Sequence, residues 1–149
     1  MAMPKLLLFV HLLAVIVWIG GMSFVLFCLR PASADLLPAQ RAPLMVATLE
    51  RFFLQVTIAI LAIWVTGLAM LLPVGMAAAP PGWHMMLAGG VVMTLVFVWI
   101  RWVIFPAARR AAGTSDLPAA AASLGRIRLL VVVNLVLGVL TIAAATLAA

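Results

Sequence analysis

Charge is what this sequence has least of. Only 8% of its 149 residues are charged, three of them acidic, and tyrosine is absent. A water-soluble domain devotes about a quarter of its residues to charge, so the composition excludes one. The three carboxylates, Asp35, Glu50 and Asp116, form no intramembrane pair of the kind that general acid–base chemistry uses. A single cysteine, Cys28, excludes an intrachain disulfide and any Cys-x-x-Cys metal or redox motif. No glycine-rich phosphate loop and no nucleophile triad occurs. Histidine is also scarce, and both copies, His11 in LLLFVHLLAVIVWIGGM and His84 in PPGWHMMLAGG, sit in or beside apolar runs.

What remains is hydrocarbon. Hydrophobic residues make up 68% of the chain and the mean hydropathy is +1.37. Four apolar segments, at about residues 4–29, 52–72, 83–104 and 129–147, are each long enough to cross about 30 Å of hydrocarbon as a helix. The expected fold is all-α, an integral membrane four-helix bundle forming one domain over residues 1–149. The first segment imitates a secretory signal, with Lys5 ahead of it and Ala32-Ser33-Ala34 as a cleavage-like site. Its apolar stretch from Leu6 to Leu29 exceeds the roughly 7–15 residues of a signal core, so it reads as a retained span.

The net charge of +6 and pI near 11.8 do not point to nucleic acid, because the arginines sit at span ends and in two loops. They act first as topology signals. Arg30, Arg41 and Arg51 flank the first loop, Arg109, Arg110, Arg126 and Arg128 the third, and the second carries no charge. Loops one and three are therefore expected in the cytoplasm, with both termini and loop two outside. His11, about 9 Å past Lys5 along a helix, and His84 then occupy the same outer leaflet. The two halves of the chain also read as repeated helical hairpins. His11 is followed by Pro31, Asp35-Leu36-Leu37-Pro38 and Glu50-Arg51, and His84 by Pro106, Asp116-Leu117-Pro118 and Arg126. A parallel repeat of this kind relates its halves by an axis along the membrane normal.

An ionisable group within a span is costly unless it is paired or reached by water, so it is a functional candidate. On a helical wheel His11 shares a stripe with Val15, Trp18, Met22 and Leu29, a face directed into the bundle. Gly20, Gly21, Gly67, Gly89, Gly90 and Gly138 are small enough to let helices approach closely. Imidazole ligates both copper and haem iron, and thioether sulfur suits Cu(I). The expected metal set is His11, His84, Met85 and Met86, with Met70 and Met76 as further thioethers at that end. If the group is haem b, His11 and His84 are its axial candidates. At the opposite end Glu50, Arg51, Gln55, Arg101, Arg126, Arg128 and Asn134 form the polar inventory, and Glu50, Arg51, Arg101 and Asn134 are expected to clamp the bundle structurally.

The runs HLLAVIVWIGGMSFVLFCLRPA, LERFFLQVTIAILAIWVTGLAML, GWHMMLAGGVVM and RIRLLVVVNLVLG together resemble the copper-resistance D family of bacterial inner-membrane proteins, over nearly the whole chain. The framework is also similar to that of the HemJ-type protoporphyrinogen oxidases, which share the His-x6-Trp pattern of the first span and the Glu-Arg entrance to the second. The first resemblance implies copper passage or homeostasis in the inner membrane. The second implies haem b held by the first-span histidine, which is His11 here. HemJ-type proteins carry a lysine soon after the third-span histidine, where this chain has Met85, Met86 and Leu87, and an acidic residue after the fourth-span asparagine, where it has Leu135. These departures turn the expectation from oxidase chemistry towards metal handling, without a catalytic residue. An enzyme built on this frame would be a haem-dependent membrane oxidoreductase, and a third reading is a structural subunit without a cofactor. The expected surroundings are the lipid bilayer, a periplasmic metal or electron partner and a second copy of the chain, with no nucleic acid.

Overall fold

A computed structural model describes residues 2–147, with side-chain environments from residue 4 onward. The chain ends expected on the outer side, residue 1 and residues 148–149, lie outside the described residues. Four helices long and apolar enough to cross a membrane follow one another: α1, Pro4–Ala32; α2, Pro38–Leu71; α3, Pro81–Gly113; and α4, Leu117–Leu147. No strand occurs among the described residues. A helix satisfies its backbone donors and acceptors within itself, which is what an environment without water demands. The chain is thus an all-α bundle of four membrane-capable helices.

The helices overrun the spans read from hydropathy. α2 begins at Pro38 rather than near residue 52, α3 runs on to Gly113, and α4 begins at Leu117 rather than near residue 129. The first and third loops shrink to residues 33–37 and 114–116, and the arginines assigned to them stand on helices. Hydropathy detects where a helix meets lipid, whereas alanine, leucine and arginine carry good helix propensity beyond that boundary. Local signals set the true starts. Proline stands in the first turn of α2 and α3, where its missing N–H costs nothing and its φ is already helical. Asp116 Oδ1 accepts the Ala119 N–H at 3.1 Å and caps α4. The corresponding start of α2 has no side-chain cap, because Leu37 occupies the N-cap position and Asp35 stands two residues before it.

Two prolines fall inside α1 and α3, and both are met in the same way. Pro31 and Pro106 cannot donate to the carbonyls of Phe27 and Trp102, and their rings crowd those oxygens. The preceding turn widens to π geometry over Val25–Leu29 in α1 and Ile100–Ile104 in α3. In each case the residue before the proline donates five residues back, Arg30 to the Val25 carbonyl and Phe105 to that of Ile100. The helix continues and the ring is accommodated. The two halves therefore share a backbone irregularity at the same place relative to proline, a local counterpart of the repeat in the sequence.

Packing follows the hairpins: α1 lies chiefly on α2 and α3 on α4, with lesser contact between the pairs. Apolar side chains gain little from leaving lipid for one another, so fit rather than solvent exclusion holds such helices together. Phe53 of α2, 1% exposed, meets Phe97 and Phe105 of α3 edge to face at centroid separations of 5.8 and 5.0 Å, and Trp18 of α1 meets Phe97 at 6.4 Å. Edge-to-face pairs of this kind contribute about 0.5–1.5 kcal/mol each beyond simple contact. Four of the six small residues expected at helix contacts stand there: Gly21 against Phe52, Gly67 against His11, Gly89 against Thr141, and Gly138 against Ile19 and Met93. A Cβ added at Gly20 or Gly90 would meet nothing within 4 Å. Gly138→Leu should therefore cost about 1–3 kcal/mol by overpacking and lower the thermal midpoint in detergent, while Gly20→Ala should leave it unchanged or raise it slightly.

Candidate functional site

His11 occupies the inward face of α1 that also carries Trp18 and Met22, and it is 6% exposed. Its ring rests against α2 where that helix lacks a side chain. A Cβ on Gly67 would lie 3.3 Å from His11 Cε1, tighter than ordinary contact. One residue earlier in α2, Thr66 Oγ1 lies 2.9 Å from His11 Nδ1. The direction of that bond follows from counting protons. The Thr66 hydroxyl has one, and it is donated to the Ala62 carbonyl at 2.6 Å, with Ile63 O at 3.3 Å. Oγ1 is left to accept, so Nδ1–H donates and the proton of a neutral imidazole is assigned to Nδ1. Nε2 then keeps a free lone pair, the form in which imidazole binds a metal.

The histidine lines a cavity of about 80 Å³. Met70 from α2 and Met86 from α3 line it as well, together with Trp18, Trp64 and Thr94. A polar bridge closes one wall: Trp64 Nε1–H donates to Thr94 Oγ1 at 3.2 Å, and that hydroxyl donates to Gly90 O at 2.7 Å. The bridge uses the polar atoms of Trp64 and Thr94, and the lone-pair donors among the lining side chains are then His11 and the thioethers of Met70 and Met86. A water-sized guest needs about 10–15 Å³ of such space, so the cavity has room for a metal ion and a few waters.

The other expected ligands stand apart from it. His84 is exposed at the start of α3, and both ring nitrogens face main-chain carbonyls, Nδ1 to Pro80 O at 3.2 Å and Nε2 to Met76 O at 3.1 Å. The ring fastens the short turn Met76–Ala78 to the helix that follows it. Met85 is 54% exposed on the outside of the bundle. His11 and Met86 are thus brought to one cavity, and His84 and Met85 are not among its lining.

The expected polar clamp is likewise dispersed. Glu50 Oε1 pairs with Arg109 Nη1 at 3.1 Å, with both side chains largely exposed, a pair of the kind contributing about 0–1 kcal/mol. Arg101 lies over Trp102 and Phe105 at 5.7 and 5.6 Å. Asn134, 2% exposed, donates from Nδ2 to the Met93 carbonyl at 3.3 Å and ties α4 to α3. Arg51 is exposed. Among the described residues no hydrogen bond or salt bridge joins Glu50, Arg51, Arg101 and Asn134 to one another.

Thr66, Trp64 and Thr94 are not distinguished by the sequence, and Gly67 is legible there only as a helix-contact residue, not as the neighbour of His11. The available signal for Thr66 and Gly67 was a Thr-Gly pair near the end of an apolar helix, but which residue faces it depends on how α1 meets α2. Thr66→Val should free Nδ1 and shift the tautomer balance of His11 several-fold toward Nε2–H, in line with a hydrogen bond worth about 1 kcal/mol. Thr66→Ser should retain the wild-type balance. Nitrogen chemical shifts of the labelled imidazole measure it.

The family model described as copper resistance protein D matches residues 46–148, more than half of the chain. The matched region contains Thr66, Met70 and Met86 and begins after His11. Neither a curated protein nor a solved structure shows significant similarity to the chain. With its four membrane-capable helices and this match, the protein belongs to the copper resistance protein D family.

Proposed function

We propose that this protein handles copper in the bacterial inner membrane, taking Cu(I) from the outer side into the cavity lined by His11, Met70 and Met86. The observation that carries the reading is the assigned lone pair on His11 Nε2, produced by the Thr66 acceptor, in a cavity shared with two thioethers. Thioether and imidazole donors favour the soft Cu(I) ion. A neutral donor set leaves the single positive charge of the ion uncompensated in a region of low dielectric, a cost that moderates affinity and eases release. The family description concerns copper resistance and supports the choice of metal. In this reading His84 secures the turn beside the site and Met85 faces lipid.

The haem b reading finds less in the same geometry. His84 has both nitrogens at backbone carbonyls, so it offers no second axial ligand as arranged, and about 80 Å³ beside His11 does not fit a macrocycle. The residues do not fit the group.

The test is a competition titration of detergent-purified protein with a chromogenic Cu(I) chelator. His11→Ala, Met70→Leu and Met86→Leu should each weaken binding about tenfold or more, and Thr66→Val about 10-fold as the loss of a group that orients a ligand. His84→Ala and Met85→Leu should retain wild-type affinity. Unchanged affinity in His11→Ala, or loss in His84→Ala equal to that in His11→Ala, overturns the assignment.

A further inference from the structure

At the end of the bundle opposite His11 lies a second and larger cavity, of about 230 Å³. Three helices each bring one arginine to it: Arg30 from α1, Arg41 from α2 and Arg128 from α4. No carboxylate lines it. Asp35, the acidic residue nearest in sequence to Arg30 and Arg41, is exposed and not part of the lining, and Glu50 is paired with Arg109. Arg41 and Arg128 lie close enough to Arg30 to repel its charge, and Arg30 Nη1 is buried without a hydrogen-bond partner. Like charges lining one open pocket, with a guanidinium N–H left unmet, favour an anion among them. The rest of the wall is hydrocarbon, with Leu26, Met45 and Ile127 among its residues.

We propose that this cavity is a binding site for an anionic phospholipid, with the phosphate held by Arg30, Arg41 and Arg128 and an acyl chain lying along the apolar wall. A guanidinium fork matches phosphate oxygens in pairs, and basic pockets between membrane helices receive acidic head groups. Free phosphate shares the charge chemistry but has no use for the apolar lining. The occupant would join the α1–α2 hairpin to α4, where direct contact between the hairpins is sparse, and so act as part of the bundle's packing. The inference is independent of copper and of His11.

The full-length protein in an uncharged detergent supplies the test. Native mass spectrometry and thermal unfolding are recorded with added phosphatidylglycerol, phosphatidylcholine or inorganic phosphate. Phosphatidylglycerol should remain bound and raise the melting temperature, while phosphatidylcholine and inorganic phosphate should do neither. Arg30→Gln and Arg128→Gln should each weaken phosphatidylglycerol binding about tenfold, the equivalent of a charge-assisted hydrogen bond. Arg30→Gln should also raise the melting temperature of the lipid-free protein, because it removes an unpartnered cation, and this rise shows that the variant folds. Arg109→Gln, away from the cavity, should respond to lipid as wild type does. Equal stabilisation by the zwitterionic lipid or by inorganic phosphate overturns the proposal, as does an undiminished response in Arg30→Gln or a lost response in Arg109→Gln.

Discussion

A backbone surrounded by hydrocarbon has no water to bond with, and that constraint organises this protein. Each N–H and C=O must be met inside its own helix, so interruptions are confined to places where the freed groups find another partner. Proline is the sharpest interruption available, and apart from Pro43 inside α2 the helix prolines stand in first turns or just after a widened turn. At Pro31 and Pro106 the widened turn keeps the helix continuous, and the same device appears in both hairpins. The threonines obey the same economy. Thr57, Thr66 and Thr94 each donate a hydroxyl to a carbonyl in the preceding turn, and only their remaining lone pairs are free to meet another helix.

From that economy the chemistry of His11 follows. A threonine in solvent could orient its proton either way. Thr66 within the bundle gives its proton to its own helix, and the histidine must then donate to it. The helix backbone thereby selects the tautomer of an imidazole on a neighbouring helix. Gly67 makes the contact possible by leaving room for the ring. The candidate site is in this sense a by-product of how α2 satisfies itself, with Met70 and Met86 added as soft donors at the same end.

The two ends of the bundle are chemically unlike. Every charged residue except Lys5 belongs to the end opposite His11, where eight arginines outnumber three carboxylates. That end was legible as a topology signal and as a list of polar residues, but not as a site. Its arginines were assigned to loops because charge ends an apolar run, whereas the helices continue for several turns beyond it. Only with α1, α2 and α4 extended do Arg30, Arg41 and Arg128 converge on one cavity. Glu50 and Asn134, which the sequence grouped, take separate partners in Arg109 and Met93.

Composition and the period of the apolar runs alone determined that this is a bundle of four membrane helices, and that one face of α1 bearing His11, Trp18 and Met22 looks inward. Those properties depend on the chain's interaction with lipid, a one-dimensional matter of how many apolar residues come in a row and how they recur. Tertiary structure decided which donors share a space. His84 and Met85 neighbour Met86 in sequence, yet successive residues on a helix point about 100° apart, so Met86 enters the cavity while Met85 faces outward and His84 turns back to the loop carbonyls. Thr66 and Met70 lie far from His11 along the chain and reach its site because α1 and α2 pack as a hairpin. Proximity across helices is set by rotation and fit at their contact.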